Sequence, residues 1–244
     1  MSSVYSTYFM SSRIVLISPD AKLAEKAQQV IKEISEDIDV IEGSYRVGLR
    51  YAKEVFERGA SIIISRGGTG QLIKSSLPVP VVEVEISTLD MLSAINQAIN
   101  ISTNIGILGF RGVIGSAQKI IKIMSGVFPA KIITEILHNE TDVHTKALAL
   151  IQKKVGVIIC GHAFTGLVEE KGCYAVPLES GRQAVIDAIR KARHLLAVQL
   201  EEKEKAEVLK SIIDFTYSGI VGIDAEGKIT VLNSAAEKLI ACSA

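Results

Sequence analysis

Apolar residues in this chain follow two alternating patterns. Short uninterrupted runs, such as those at 14–17 and 62–64, are rich in isoleucine and valine and show no polar alternation. Such runs are typical of parallel strands that are covered on both faces. Between the runs, apolar residues recur at helical spacing, as in Leu23, Ala27, Val30 and Ile31. The regular exchange of the two patterns predicts an α/β fold with right-handed crossovers.

The predicted elements occur in the same order in two halves of the chain. The strands fall at 13–17, 38–42, 61–65 and 81–86, and again at 105–109, 131–136, 155–160 and 173–176. In each half the third strand leads into a loop that contains glycine. We therefore predict a tandem of two three-layer α/β subdomains with parallel four-stranded sheets, at about 13–100 and 101–196, whose loops face each other across a cleft.

Several helix boundaries follow from local signals between the strands. We expect Tyr45 to begin a helix that buries Val47, and Thr88 to cap a helix that places Leu89 inside. A further helix is expected from Gly115 to Met124. A short helix is also expected at 71–76, directly after the first glycine loop.

The loop after the third strand reads S-R-G-G-T-G over 65–70. Gly67 and Gly68 have no Cβ, so their N–H groups could approach an anion closely, and Thr69 is expected to cap a helix that starts near Gly70. Arg66 adds a planar cation suited to carboxylate or phosphate. Ligands bind at this edge of open α/β sheets. The alternative is a strand-to-helix turn that needs glycine only for its dihedral angles.

The second half supplies the expected opposite wall of the cleft. Gly161 and His162 follow its third strand, Ser180 follows its fourth, and Arg111 is a candidate second cation. We expect His162 to donate a hydrogen bond to the ligand, the alternative being a histidine satisfied by local backbone. The complete predicted ligand-binding set is Arg66, Gly67, Gly68, Thr69, Gly70, Ser87, Arg111, Gly161, His162 and Ser180.

Composition narrows the classes of function. The chain has 27 Lys and Arg against 27 Asp and Glu, so it has no general attraction for nucleic acid. No apolar run approaches the roughly 20 residues that span a bilayer, so no membrane partner is expected. Cys160, Cys173 and Cys242 are odd in number and widely spaced, which argues against a disulfide framework or zinc site and indicates a reducing cytoplasm. We expect no metal and no cofactor, with Cys160 and Cys173 acting as small core residues.

A long helix is predicted from Gly181 to the neighbourhood of Tyr217. Residues 199–207 are nearly all charged, so we interpret 197–210 as a connector helix, the alternative being a solvated helix face. Weak heptad spacing would allow a two-helix coil and hence a homodimer. Residues 211–244 predict a hairpin and a helix, which is too little chain to form a core alone.

Two sets of residues resemble known families. The segments I-I-D, G-I-V-G-I-D, G-K-I and L-N-S-A-A-E between 212 and 237 resemble the start of a PAS domain, truncated after its first hairpin. Residues 13–196 resemble the N-terminal sensor domain of the propionate catabolism activator family. The motifs that carry this second resemblance are S-R-G-G-T-G at 65–70, V-P-V-V-E-V-E-I-S at 79–87, L-D at 89–90 and L-E-S-G-R-Q-A at 178–184.

The second resemblance implies a chelatase-like tandem of two subdomains. It further implies a PAS domain, an ATPase module for sigma-54-dependent transcription and a helix-turn-helix in a longer protein, of which this chain would be a fragment. DNA and sigma-54 RNA polymerase would then be partners only of the missing domains. The family's namesake responds to the tricarboxylate 2-methylcitrate, so the implied ligand is a small anionic metabolite, either an organic acid of that kind or a phosphate.

We therefore interpret the chain as a ligand-sensing regulatory domain and not as an enzyme. The alternative is an enzyme of similar fold that acts on a carboxylated or phosphorylated metabolite. Several acidic residues and one histidine fall near predicted strand ends but form no triad or metal box, and we expect most to be caps or solvated rim residues: Asp20, Glu83, Glu85, Asp90, His162 and Glu179. A pure dimerisation platform is a third interpretation, but it leaves the paired glycine loops unexplained.

Overall fold

The computed structural model describes residues 13–123, 129–139 and 141–240, in two compact units, Met1–Arg193 and His194–Ala244. The first unit contains a parallel four-stranded sheet with the order β2-β1-β3-β4. Its strands are β1 (Ile14–Ser18), β2 (Asp39–Glu42), β3 (Ile62–Ser65) and β4 (Val81–Glu83). The helices that follow these strands are α1 (Ala21–Glu33), α2 (Tyr45–Glu57), α3 (Gly67–Ser76) and α4 (Thr88–Ile99).

A second parallel sheet in the same unit has the equivalent order β6-β5-β7-β8. Its strands are β5 (Asn104–Phe110), β6 (Lys131–Leu137), β7 (Val157–Gly161) and β8 (Tyr174–Leu178). The helices are α5 (Arg111–Ile123), α6 (Asp142–Gln152), a 3-10 turn (His162–Phe164), α7 (Thr165–Glu170) and α8 (Arg182–Phe215). The predicted tandem of two parallel four-stranded sheets is therefore confirmed.

The central strands are the most apolar segments of the chain because both of their faces are covered. Every residue of β1 and β3 is buried, and β7 is buried up to its last residue. β4 ends at Glu83, three residues earlier than predicted, because the chain leaves the first sheet there and crosses to the second. Both sheets thus present the carboxyl ends of their inner strands, where the predicted loops begin.

Helix α4 packs on the second sheet, although its sequence position suggests that it belongs with the first. Its buried residues join a core cluster with residues of β5, β7 and β8; the α4 members are Met91, Ala94, Ile95 and Ala98. The expected subdomain boundary near residue 100 therefore differs from the packing, in which the chain crosses at 84–87. We call β1–β4 with α1–α3 the first lobe, and β5–β8 with α4–α7 the second lobe.

The first part of α8 returns to the first lobe after β8. Arg182 forms an ion pair with Glu33 at the end of α1, and Arg193 pairs with Glu36 at 3.1 Å. Lys22 also pairs with Glu179 at 2.8 Å, and the Lys26 ammonium donates to the Ser180 carbonyl at 2.7 Å. The two lobes are therefore joined by two crossings, at 84–87 and at 179–181.

Two helix predictions were wrong at single positions near the helix start. The N-cap of α4 is Ser87, not Thr88: the Asp90 N–H donates to Ser87 Oγ at 3.1 Å, and the Ser87 N–H donates to the Asp90 carboxylate at 3.0 Å. Leu89 is 77% exposed because the buried stripe lies on the opposite side of the helix. Val47 is likewise 46% exposed, since α2 buries Gly48, Ala52 and Val55 instead.

Helix α5 begins at Arg111, four residues before the predicted start at Gly115, because the chain turns into the helix directly after β5. Its predicted end, Met124, lies outside the described residues. The described part of the chain contains no helix long and apolar enough to cross a membrane.

The second unit contains the rest of α8 and a small antiparallel hairpin. β9 (Val221–Ile223) pairs with β10 (Ile229–Leu232), and α9 (Ser234–Ile240) follows. Asn233 is fully buried between these elements. Its amide group donates to the carbonyls of Ile213 and Ser218 at 2.9 and 3.0 Å, and its side-chain oxygen accepts from the N–H groups of Ile220 and Ala236 at 2.8 and 3.0 Å. One side chain thus holds the end of α8, the hairpin and α9 together.

Candidate functional site

A cavity of about 330 Å³ lies between the two lobes at the carboxyl ends of their strands. The first lobe contributes Pro19, Asp20, Tyr45, Arg66, Gly67, Gly68, Thr69 and Glu83. The crossing and the second lobe contribute Val84, Glu85, Ile86, Leu108, Gly109, Phe110, Gly112, Val113, Ser116, Gly161, His162, Ala163, Phe164 and Leu178. This volume is within the usual range for a small-molecule pocket.

The cavity brings together six of the ten residues that the sequence predicts for ligand binding. These are Arg66, Gly67, Gly68 and Thr69 from the first lobe and Gly161 and His162 from the second. The other four lie elsewhere. Gly70 is buried inside α3, Ser87 caps α4, Arg111 is exposed at the start of α5, and Ser180 lies buried at the second crossing.

Arg66 is held in place by one partner from the first lobe and one from the second crossing. Its Nη2 lies 3.2 Å from Asp20 Oδ2, and its Nη1 donates to Ser180 Oγ at 3.4 Å. The Arg66 and Asp20 side chains are 12% and 9% exposed. Burial lowers the pKa of Arg66, and the Asp20 carboxylate opposes that shift by favouring the charged form. A guanidinium has five N–H donors, so Arg66 keeps donors for a ligand after these two contacts.

Asp20 has a second role at the same position. It is the N-cap of α1, and its Oδ1 accepts the N–H of Leu23 at 2.9 Å. The expectation that Asp20 is a cap is therefore confirmed. Because its other oxygen faces Arg66, one carboxylate both begins α1 and compensates the buried cation.

The two loop glycines serve different purposes. Gly67 begins α3 with φ +57°, a left-handed conformation that favours glycine. Its N–H donates to the Glu83 carboxylate, so a carboxylate of the protein itself lies at the N-terminus of α3. Gly68 has no room for a side chain, because a Cβ would lie 2.5 Å from Phe110 Cζ and 2.6 Å from Tyr45 Cε1.

The sequence predicts that Thr69 caps α3. This prediction is wrong, because the helix already starts at Gly67. The N-cap is Arg66, whose side chain makes no capping hydrogen bond. The Thr69 hydroxyl instead accepts the N–H of Tyr45 at 2.9 Å. This contact fixes the start of α2 against the first turn of α3 and positions the Tyr45 ring in the cavity wall.

Aromatic rings from both lobes form one side of the cavity. Tyr45 belongs to the first lobe, whereas Phe110 and Phe164 belong to the second. The Tyr45 and Phe164 ring centroids are 6.3 Å apart with planes at 36°. That distance is within the range of favourable aromatic pairs. The lobes therefore touch through aromatic contacts that any separation of the lobes would break.

The cavity wall contains three carboxylates and one guanidinium group. They belong to Asp20, Glu83, Glu85 and Arg66. Glu85 accepts a hydrogen bond at 2.8 Å from Lys191, which does not line the cavity. Burial is the largest influence on Glu83 and raises its pKa, while the Gly67 N–H opposes that shift. Among the described residues, Glu83 is the acidic residue of the wall that forms no salt bridge, although the charge of Lys74 also lowers its pKa.

The sequence predicts that Glu83 is a cap or a solvated rim residue, and its side chain is indeed exposed, beside the first turn of α3. In the sheet register Glu83 is opposite Ser65, the residue before Arg66. The signal that could have found it is its position at the end of a strand adjacent to β3. The sequence alone does not show which strand is adjacent.

His162 lies in the 3-10 turn after β7 and lines the cavity. Among the described residues its Nδ1 atom is buried and has no hydrogen-bond partner. A buried imidazole nitrogen without a partner is unfavourable in either tautomer. The predicted hydrogen bond from His162 to a ligand stays a prediction.

The described residues contain no group of three or more His, Cys, Asp or Glu side chains placed to hold a metal ion. Cys160 and Cys173 are buried with free thiols, as expected for core residues. Burial raises the pKa of Cys160 to about 12, so its thiol stays protonated and is a poor nucleophile. Cys242 lies outside the described residues.

Comparison with solved structures shows the same fold in a regulator. An NtrC family transcriptional regulator from Clostridium acetobutylicum aligns with a TM-score of 0.66 at 20% identity, over 76% of this chain and 97% of that chain. A conserved domain protein from Vibrio cholerae aligns with a TM-score of 0.45 at 12% identity, over 76% of this chain and 84% of that one. At 20% identity, the similarity to the Clostridium protein shows only that the two proteins share a fold. We conclude nothing from the weaker similarity to the Vibrio protein.

Sequence comparison shows the family. No curated protein sequence matches the chain. The sequence profile described as propionate catabolism activator matches residues 32–202, well over half of the chain and most of both lobes. The chain therefore belongs to the propionate catabolism activator family, and the matched region is the sensory regulatory domain of a transcription activator.

Proposed function

We propose that the first unit is the effector-sensing domain of a sigma-54-dependent transcription activator, and that the effector is a small carboxylate-bearing metabolite. The observation that carries this proposal is the cavity between the lobes, which contains the fixed Arg66 guanidinium and the first turn of α3. Clefts at the carboxyl ends of parallel strands are the usual ligand sites of α/β folds. An effector bound there would contact both lobes.

Arg66 and the start of α3 would bind the carboxylate. The first N–H groups of a helix have no partner within the helix, and they lie near its positive end. Gly67 already donates to Glu83, which leaves the N–H groups of Gly68 and Thr69 for a ligand. Charge-assisted hydrogen bonds from a guanidinium add specificity for a planar carboxylate. A phosphate is the alternative anion.

Closure of the lobes would report the bound effector. The contact of Phe110 with Gly68 and the ring pair of Tyr45 with Phe164 cross the cleft, so they exist only when the lobes are together. A ligand that contacts both lobes favours this state and shifts the equilibrium towards it. Residues 179–181 lie at the root of α8, so closure would also move the start of that helix.

Binding without turnover distinguishes this proposal from an enzyme. The cavity wall contains carboxylates, one arginine and His162, but the buried Cys160 is not part of it. In a metabolite panel we expect thermal stabilisation by some organic acids and no change in their chemical composition on prolonged incubation. A true effector at 100 times its dissociation constant adds about 2.7 kcal/mol to the free energy of unfolding. Consumption of a panel member would favour the enzyme.

Replacing Arg66 with lysine is expected to weaken binding of the best carboxylate in the panel by about ten-fold to a hundred-fold. Lysine keeps the charge but loses the planar fork, and a hydrogen bond between charged groups is worth about 1.5–3 kcal/mol. Isothermal titration calorimetry measures the dissociation constants. The matched control is Arg111→Lys, at an exposed arginine that does not line the cavity. Equal affinities in wild type and Arg66→Lys would refute the assignment of Arg66.

Transmission through α8 can be tested in a full-length activator. A glycine-rich insertion near Glu202, in the charged part of α8, is expected to preserve effector affinity and abolish the transcriptional response. Affinity is measured by calorimetry and the response with a promoter fusion. A helical insertion of equal length is the control. Regulation that survives the flexible insertion would show that α8 is a passive tether.

We also propose that the protein is a cytoplasmic homodimer joined through α8 and the following residues.

A further inference from the structure

We propose that Ser180 is a positioning residue of the effector site. It orients the Arg66 guanidinium for the carboxylate of the effector and, through the same contact, couples a bound effector to the start of α8. This inference rests on the proposed function, because it concerns the regulation of the same site. It gives Ser180 a different role from the direct ligand contact that the sequence predicts.

The contact between Arg66 and Ser180 is the first observation. Arg66 lines the cavity, whereas Ser180 does not. Ser180 is buried, and its Oγ accepts a hydrogen bond from Arg66 Nη1 at 3.4 Å, while Arg66 Nη2 lies 3.2 Å from Asp20 Oδ2. Two contacts on a planar guanidinium fix the orientation of its plane as well as its position. Ser180 therefore acts on the cavity through Arg66.

The surroundings of Ser180 are the second observation. The Lys26 ammonium of α1 donates to the Ser180 carbonyl at 2.7 Å. A Cβ on the next residue, Gly181, would lie 2.7 Å from Asp90 Oδ1, so α4 of the second lobe packs closely against this crossing. Helix α8 begins two residues after Ser180. The residue that holds Arg66 is thus attached to the first lobe, adjoins the second lobe and leads directly into α8.

The charges around Arg66 are the third observation. Burial lowers the pKa of Arg66, whereas the carboxylates of Asp20, Glu179 and Asp90 favour its charged form. These carboxylates belong to the N-cap of α1, to the second crossing and to α4. A movement of the guanidinium would therefore change its interaction with both lobes and with the crossing that contains Ser180.

The coupling follows from the fact that the effector and Ser180 share one guanidinium. Ordering a long side chain opposes binding, so an arginine that Ser180 already holds loses less freedom when a carboxylate binds it. A distance of 3.4 Å is long for an N–H···O hydrogen bond, so a small shift of the guanidinium decides whether this bond forms. By reciprocity, a carboxylate that orders Arg66 strengthens its bond to Ser180 by the same factor. A bound effector therefore fixes the start of α8 more firmly.

Replacing Ser180 with alanine is expected to weaken carboxylate binding by about two-fold to ten-fold, the effect of one neutral hydrogen bond. A thermal-shift screen of propane-1,2,3-tricarboxylate, succinate and propanoate selects the probe, which is the acid that binds most tightly. Calorimetry with the whole chain measures its dissociation constant. Ser180→Cys, of similar size but a weaker acceptor, should weaken binding as well.

The matched control for the lost hydroxyl is Ser75→Ala. Ser75 is exposed near the end of α3, donates to the Leu72 carbonyl and does not line the cavity. Its replacement should leave the affinity for the probe unchanged. In the Arg66→Lys background, Ser180→Ala should add no further loss, because lysine has no planar group for Ser180 to orient. A purely structural role of Ser180 would weaken binding in both backgrounds.

Hydrogen exchange measured by mass spectrometry tests the coupling to α8. In the wild type, the probe is expected to slow exchange both in residues 66–70 and in residues 182–186. In Ser180→Ala, a saturating concentration of the probe should slow exchange only in residues 66–70. A general loosening of the crossing would change exchange without the probe, but it would not remove the difference that the probe makes.

The outcomes separate this inference from the proposed function. If the probe binds Ser180→Ala as tightly as the wild type, Ser180 does not position Arg66. If the probe still slows exchange in residues 182–186 of Ser180→Ala, the coupling does not run through this contact. In both cases the carboxylate sensor stands and this inference is wrong. If none of the three acids binds, the proposed carboxylate effector fails and this inference fails with it.

Discussion

Replacing Asp20 with alanine is expected to lower the free energy of unfolding of the first unit by about 3–5 kcal/mol. Arg66 and Asp20 are 12% and 9% exposed, so the substitution leaves a buried cation without its partner. It also removes the N-cap of α1, where Asp20 accepts the Leu23 N–H, and that loss alone costs about 1 kcal/mol. Urea unfolding followed by circular dichroism measures the change.

Two further variants separate the causes of this loss. Asp20→Asn keeps an oxygen for the cap but removes the charge, so we expect an intermediate stability. The double variant Asp20→Ala with Arg66→Met removes both charges and is expected to recover part of the loss, because no uncompensated cation remains. If Asp20→Ala unfolds at the wild-type urea concentration, the ion pair contributes nothing to stability.

Replacing Asn233 with alanine is expected to unfold the hairpin and α9 of the second unit. The substitution removes four hydrogen bonds and leaves the carbonyls of Ile213 and Ser218 and the N–H groups of Ile220 and Ala236 without this partner. Each buried group left unpaired costs about 1–3 kcal/mol of stability. Together, these losses exceed the free energy of unfolding expected of so small a unit. Hydrogen exchange measured by mass spectrometry reports the change.

The expected pattern of hydrogen exchange is local. Protection should be lost in residues 218–236 and retained in the strands of the first unit, because Asn233 contacts only the second. Asn96→Ala, at an exposed position on α4, is the matched control. Asn233→Asp keeps the acceptor but not the two donors and should show a partial loss. Unchanged protection in Asn233→Ala would mean that the exposed apolar side chains of this unit hold it together without the asparagine.

The fold could be predicted because its strands are almost purely apolar and its helices separate them at regular intervals. β1 and β3 have no exposed face, so each is visible as a run of apolar residues. The burial of single positions near the helix starts was harder to predict. Leu89 fits a helical repeat as well as Met91 does, and only the crossing of the chain to the second sheet decides which of them is buried.

The candidate site could be predicted only in part, for a related reason. Arg66–Thr69, Gly161 and His162 follow their strands directly, so local sequence places them at the sheet edge. Glu83 and Asp20 reach the same site because β1 and β4 are the two neighbours of β3, an order that differs from the order along the chain. The close contact of the Phe110 ring with Gly68 joins residues of two lobes. A contact between residues so far apart in the sequence cannot be predicted from local sequence patterns.

The exchange of helices between the lobes has a consequence for how the chain folds during synthesis. Helix α4 leaves the ribosome before any strand of the sheet on which it packs, so its apolar stripe of Met91, Ala94, Ile95 and Ala98 has no partner at that time. Glu33 and Glu36, at and just after the end of α1, stay without their partners Arg182 and Arg193 for even longer. Such long-range contacts slow folding. Neither lobe can therefore complete its folding alone. Both reach their final packing only after nearly the whole first unit has been translated.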